Sequence, residues 1–284
     1  MARQDKGLDR GEEAFRQRYA ELFGERWQPL KEALAADGNS VAFVAGAEES
    51  GDASPPYYLD SASVFAASCL EMPAEGEPSS GESAGGGLVL DACAAPGGKS
   101  LVLASRLPPG ARLVANELSA DRRRRLREVL DKHLPSRARA LVEITGRDAA
   151  AMCRRFESSF DSILLDAPCS SERHVLADPA ALAEWSLARV KSLAMRQWAL
   201  LSSALIMLKS GGCLVYSTCS LSPEENEAVI SRAAAKYGAA LSFDQLVYTG
   251  QGEAEAKSYG LHILPDRACG AGPMYVCRLH KVFS

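Results

Sequence analysis

The sequence predicts an α/β chain: a doubly wound, mostly parallel sheet with an antiparallel C-terminal edge and a small N-terminal helical extension. Two observations predict it. From Leu88 onward, short apolar runs alternate with helical segments, the pattern of a parallel sheet with crossover helices. Three of those runs close on reactive residues: Leu90-Asp91, Leu165-Asp166 with Pro168-Cys169, and Ser217-Thr218-Cys219. The carboxyl edge of such a sheet is where ligands bind.

Residues 12–35 repeat apolar positions at helical spacing through Phe15, Tyr19, Leu22, Phe23, Trp27, Leu30 and Leu34. An acidic, small-residue stretch covers 46–56, and a second short helix ends near Met72. Together these form an N-terminal helical extension over residues 1–72. Residues 73–87 are rich in Pro, Glu, Ser and Gly and predict a flexible loop. The remaining domain covers 88–284. Its strands are expected near 88–92, 112–117, 140–145, 161–166 and 212–217, and its helices near 98–106, 119–132, 149–155, 179–208 and 222–236. The 179–208 helix opens with Asp178 as N-cap and Pro179 at its first position; its length predicts one break, and Gly211-Gly212 a stop. The tail from 241 to 282 predicts at least two more strands, one over 274–279, as the antiparallel edge.

Composition excludes several classes. No apolar stretch reaches the ~18 residues of a membrane span, and the mixed-charge N-terminus reads neither as a signal peptide nor as a clear transit peptide. The eight cysteines include no CxxC pair, so zinc-ribbon and thioredoxin readings are weak and no metal site is expected. The net charge is −4. RNA-gripping enzymes usually present a basic surface, and here the one basic run is Arg122 to Arg125 with Arg127. That run is a phosphate contact or simply a solvated helix face.

The turn Asp91-Ala92-Cys93-Ala94-Ala95-Pro96-Gly97-Gly98-Lys99-Ser100 is not a P-loop, because Cys93 stands where the first glycine is required. Its small residues instead let backbone approach a ligand at a helix start. Glu117 ends the second strand, within the ~20–25-residue spacing at which an acid bonds ribose hydroxyls. Asp148 ends the next strand–loop unit, placed to accept a bond from an adenine amino group. Each acid also has a helix N-cap reading. Cys169 and Cys219 each read singly as small buried hydrophobes. Neighbouring parallel strands, however, bring both thiols to one pocket, in strand-to-helix loops that expose a thiol and lower its pKa.

Taken together, Asp91 to Lys99, Asp166-Ala167-Pro168-Cys169-Ser170-Ser171, and Ser217-Thr218-Cys219-Ser220 with Glu225-Asn226-Glu227 resemble the Sun-type (Nol/Nop/Sun) RNA cytosine-5 methyltransferases over about residues 88–282. Ser171-Glu172-Arg173-His174, Gly272 to Leu279 and Tyr19 to Trp27 add a resemblance to the mitochondrial ribosomal RNA branch of that family. The resemblance implies a Rossmann-like class I methyltransferase fold. It implies S-adenosylmethionine held by Cys93, Ala94, Ala95, Pro96, Gly97, Gly98, Lys99, Glu117, Arg122, Asp148 and Asp166. It implies Cys219 as nucleophile, Cys169 as the cysteine that assists product release, and Asp166 on the target base. Members of the branch lack a separate RNA-binding domain and pair with a mitochondrial termination-factor-like helical-repeat protein. Ribosomal RNA, such a partner, a ribosomal assembly intermediate and a mitochondrial (otherwise cytoplasmic) location are the corresponding expectations. The Ser170-Ser171 ending departs from the commoner Ser-Gly and is expected to alter the pocket wall.

The chemistry follows from pyrimidine reactivity. Thiolate addition at C6 turns C5 into a carbon able to attack a methyl sulfonium. The cytidine has to be unstacked, which favours a loop or a flipped base. Two alternatives stay open. One is a structural ribosome-assembly factor with little turnover. The other is a DNA cytosine-5 methyltransferase, whose nucleophile would be the Pro168-Cys169 thiol, a reading that the Thr218-Cys219 motif disfavours. A partner docking on the amphipathic face of residues 15–34 is weighed against that face packing on its own domain.

Overall fold

The computed structural model describes residues 2–46, 54–74 and 86–282. Most of the 46–56 stretch and of the 73–87 loop lies outside the described residues.

Five parallel strands form the centre: β3 (Leu88–Asp91), β4 (Arg112–Asn116), β5 (Val142–Thr145), β6 (Phe160–Asp166) and β7 (Leu208–Thr218), in spatial order β5-β4-β3-β6-β7. The order reverses direction beside β3, so the crevice between β3 and β6 is the topological switch point of a doubly wound sheet. Buried on both faces, these strands are apolar almost throughout. The antiparallel edge holds four strands: β8 (Leu241–Phe243), β9 (Ala254–Ala256), β10 (Leu261–Ile263) and β11 (Met274–Lys281). β11 pairs with β7, while β10 and β8 pair with successive stretches of β11.

Helices cover both faces. On one side lie α3 (Ser61–Ser68), α4 (Gly98–Ser105) and α5 (Ala120–His133), and on the other α9 (Leu187–Met207) and α10 (Glu227–Tyr237). Caps explain their starts. The Asp60 carboxylate accepts from the Ala62 N–H at 2.8 Å, and Ser119 Oγ accepts from the Arg122 N–H at 3.4 Å; such caps contribute about 1 kcal/mol each. No helix among the described residues is long and apolar enough to cross a membrane.

Several boundaries differ from the sequence expectation. The 12–35 helix is two helices, α1 (Ala2–Phe23) and α2 (Trp27–Ala35), divided at Gly24 with φ +57°. The 1–72 segment also contains a two-stranded antiparallel sheet, β1 (Ser40–Phe43) with β2 (Tyr57–Asp60). The 149–155 helix is a single 3-10 turn at Met152–Arg154. Two short helices, α6 (Ser136–Arg139) and α7 (Glu172–Ala177), were not anticipated. The 179–208 segment does break, into α8 (Pro179–Ala183) and α9. Its stop is Leu208 rather than the glycines: Gly211, at φ +77°, sits in an irregularity inside β7. The 222–236 helix starts only at Glu227, because Asn226 turns back to donate to the Ser220 carbonyl at 2.8 Å.

The apolar face of the N-terminal helices packs inward. Phe15, Tyr19, Trp27, Leu30 and Leu34 share a core with Val175, Trp185, Val190, Leu221 and Leu264. That burial withdraws the face from any partner.

Candidate active site

The strand ends at the switch point open into a cleft of about 840 Å³ lined by Cys93, Ala95, Glu117, Arg122, Asp148, Asp166, Cys169 and Cys219, among others. A smaller recess of about 100 Å³ shares Cys93, Ala95 and Asp166 with it and reaches Pro96, Gly98 and Lys99. Ten of the residues expected to hold a cofactor therefore line the cleft or its recess, and Gly97 alone of them does not. Ala94, on the recess, is largely buried, its N–H donating to the Asn116 carbonyl at 2.8 Å. Gly97, at φ +122°, presses on Leu126 and Val129 of α5; a side chain there would meet strain and contact together.

Asp91 anchors the turn from beneath. It is 1 % exposed, and its Oδ2 accepts from Ser100 Oγ at 2.6 Å while its other oxygen has no side-chain partner among the described residues. Burial pushes its carboxyl up to about 7. Glu117 is buried at the end of β4; its Oε1 accepts from the Ser119 N–H at 2.9 Å, and Arg122 lies 3.5 Å from its Oε2. Asp148 is exposed on the facing wall and accepts from the Ala150 N–H at 3.1 Å. Sequence reasoning missed Asn116. Its amide donates to the Ala92 and Arg147 carbonyls at 3.1 and 3.0 Å and accepts from Thr145 Oγ1 and the Arg147 N–H. It thus ties three strand-end loops together. The only signal was a polar residue preceding Glu117 in an apolar strand.

At the floor, Lys99 Nζ lies 2.9 Å from Asp166 Oδ2, and Ser217 Oγ donates to Asp166 Oδ1 at 2.8 Å. Burial pulls the Lys99 ammonium down, but Asp166 outweighs it and the net shift is upward. Asp166 is thereby a fixed acceptor facing both the cleft and the recess.

The two thiols meet as the parallel register requires. Asp166 lies beside Ser217 across β6 and β7, and Cys169 Sγ stands 2.9 Å from Cys219 Sγ. The pair is polarised. Hydrogen bonding with Cys219, together with burial, holds the Cys169 thiol well above its ordinary range. The hydrogen bond from Cys169 shifts Cys219 downward against the effect of burial, with Ser171 adding to the shift. The opposed shifts make Cys219 the more acidic thiol of the pair. Cys93, on the same cleft, is pushed up to about 12 by burial and is no nucleophile.

Behind the thiols lies a second group that sequence reasoning did not assign. Glu172 and Glu225 are both fully buried, with Ser170, Ser220 and Gln197 between and around them. Its members come from three separate segments, so no local pattern announces it.

The arrangement combines a cleft of about 840 Å³, an acid at each of three successive strand ends and two thiols in contact. Comparison with known proteins places it. Residues 79–280 match the model of the 16S rRNA methyltransferase RsmB/F family. The chain is 40% identical over 200 residues to ribosomal RNA small subunit methyltransferase F of Aeromonas hydrophila, covering 70% of this chain and 41% of the relative. The chain thus spans about two fifths of the length of the curated relatives it matches. Among solved structures, NSun6 from Pyrococcus horikoshii with SFG superposes at TM-score 0.63 with 25% identity, covering 81% of this chain and 54% of that one. A methyltransferase homolog protein from the same organism superposes at TM-score 0.69 with 23% identity over 94% of both chains, a likeness of fold. The chain belongs to the 16S rRNA methyltransferase RsmB/F family.

Proposed function

We propose that this chain methylates C5 of a cytosine in ribosomal RNA, with S-adenosylmethionine as methyl donor, through a covalent bond between Cys219 and the base. The observation that carries the reading is the polarised thiol pair, 2.9 Å apart, on the cleft that also presents Glu117, Asp148 and Asp166.

The donor set fits S-adenosylmethionine. A buried carboxylate at the end of β4 suits ribose hydroxyls, Asp148 suits an adenine amino group, and the small residues Ala92 to Ala95 leave room for the cofactor beside the backbone. When bound, the cofactor supplies an electrophilic methyl group. The chain's residues do the rest. Cys219 thiolate adds to C6 and makes C5 nucleophilic. Asp166, fixed by Lys99 and Ser217, holds the N3–N4 edge of the base. After transfer, C5 loses its proton and the C6–sulfur bond breaks, returning Cys219 as thiolate; Cys169 assists this release. The polarity of the pair argues against Cys169 as the nucleophile, and so against the DNA-type reading.

The expected result with tritiated S-adenosylmethionine and ribosomal RNA from cells lacking the protein is label in 5-methylcytosine, located by bisulfite sequencing. RNA from knockout and parental cells with identical bisulfite profiles would remove the assignment. Glu117→Ala and Asp148→Ala are each expected to weaken S-adenosylmethionine binding by roughly 1–3 kcal/mol, about 5–150-fold. Wild-type affinity by calorimetry in both variants would take these acids out of the site.

The finer readings rest on the narrower sequence resemblance. We infer a mitochondrial location, a role in ribosome assembly and a helical-repeat partner of the termination-factor type. Support for a partner comes from charge: the chain carries −4 overall, with Arg122, Arg124, Arg125 and Arg127 exposed on α5. Few phosphates are neutralised by one such row, and affinity from counterion release scales with that number. The chain alone should bind RNA weakly, with a shallow dependence on salt. Filter binding across a salt series checks this, and tight, steeply salt-dependent binding would eliminate the need for a partner.

A further inference from the structure

The N-terminal helix reaches the chemistry. Tyr19 of α1 is fully buried, and its hydroxyl donates to Glu172 Oε1 at 2.5 Å and lies 3.2 Å from Ser222 Oγ. Burial, with the charge of Glu172, keeps the phenol protonated and therefore a donor. Glu172 opens α7, three residues after Cys169. Its Oε2 accepts from the Leu221 N–H at 2.8 Å, two residues after Cys219, and its Oε1 contacts the Ser170 hydroxyl. Glu225 completes the link: it accepts from the Ser170 N–H at 3.0 Å, from Ser220 Oγ at 2.9 Å and from Gln197 at 2.7 Å. Two buried carboxylates thus clamp the residues that follow both thiols. Ser170 Oγ touches both acids, and burial together with the charge of Glu172 raises the Glu225 carboxyl.

We propose that Tyr19 is a positioning residue for the thiol pair: its hydroxyl orients Glu172, which holds the Cys169 and Cys219 loops at the spacing that lets one thiol hydrogen-bond the other. Without that donor the Glu172 carboxylate turns, the Leu221 tether loosens and Cys219 loses its S–H partner. The effect on methyl transfer rests on the function proposed above; the effect on the thiols does not.

Tyr19→Phe in the full chain tests it, because it removes one oxygen and keeps the ring packed against Phe15, Trp27 and Trp185. Peptide-resolved iodoacetamide labelling across pH should show Cys219 alkylated roughly three- to tenfold more slowly at pH 7, as expected for a thiol pKa raised by half to one unit. In methyl transfer to ribosomal RNA, kcat should fall roughly 10- to 100-fold, the scale of an ångström's misplacement, with KM for RNA and cofactor little changed. Ser222→Ala, which removes only the weaker contact, should shift labelling in the same direction by less, and it carries the test if Tyr19→Phe fails to fold. A lower melting temperature with unchanged labelling profile and kcat would reduce Tyr19 to a packing residue and overturn the proposal. If the wild-type chain methylates no RNA, the function above fails while the labelling arm still decides the role of Tyr19.

Discussion

Cys219→Ala is expected to abolish methyl transfer, by roughly 10⁴-fold or more on the scale of removing a catalytic nucleophile, and to form no covalent complex with RNA. Cys169→Ala is expected to do the opposite at the gel. Addition at C6 needs only the Cys219 sulfur, so the adduct still forms; release needs the second thiol, so the adduct persists. The two sulfurs are 2.9 Å apart, and that proximity gives the experiment its power. Both thiols line the cleft, so position alone does not separate their roles. The measurement is a denaturing gel of each variant with labelled ribosomal RNA and S-adenosylmethionine. A gel-stable adduct from the Cys219 variant but not from the Cys169 variant would exchange the two roles and revive the DNA-type order.

The second large effect is on stability. Asp91 is 1 % exposed, and burial lifts its carboxyl from 3.8 to about 7. The folded chain therefore holds a proton that the unfolded chain has already released. Its contribution is fully present below about pH 4 and is lost as pH rises through about 7. A shift of that size corresponds to a loss on the order of 4 kcal/mol across the interval. Asp91→Asn stays neutral throughout and can still accept from Ser100. Urea unfolding at several pH values should show wild-type stability declining relative to the variant from pH 4 to 7. Parallel curves would mean that Asp91 is ionised in the folded state.

The strand ends were legible because parallel strands buried on both faces are written as unbroken apolar runs, and a charged or reactive residue closing such a run stands out. Asp91, Glu117, Asp166 and Cys219 were found that way. Ends of surface helices were less legible. The 149–155 segment has helical residues but only one 3-10 turn. Residues 222–226 are held in a turn by Asn226 and by Tyr216 Oη donating to the Glu225 carbonyl at 2.6 Å, long-range and side-chain bonds that periodicity does not record.

By itself the sequence determined the doubly wound sheet, the edge on which the chemistry gathers and the two thiols that gather there, because burial and strand order are encoded in local runs. The tertiary structure decided that the two thiols touch and which of them is the more acidic. Cys169 and Cys219 are equivalent as residue types, and their 2.9 Å contact is what shifts one upward and the other downward. Tyr19, Glu172 and Glu225 lie up to 206 positions apart in the chain, and their hydrogen bonds exist only once α1, α7 and the turn after β7 close around one buried point. Hydrogen-bond partners across such distances are chosen by packing, not by spacing.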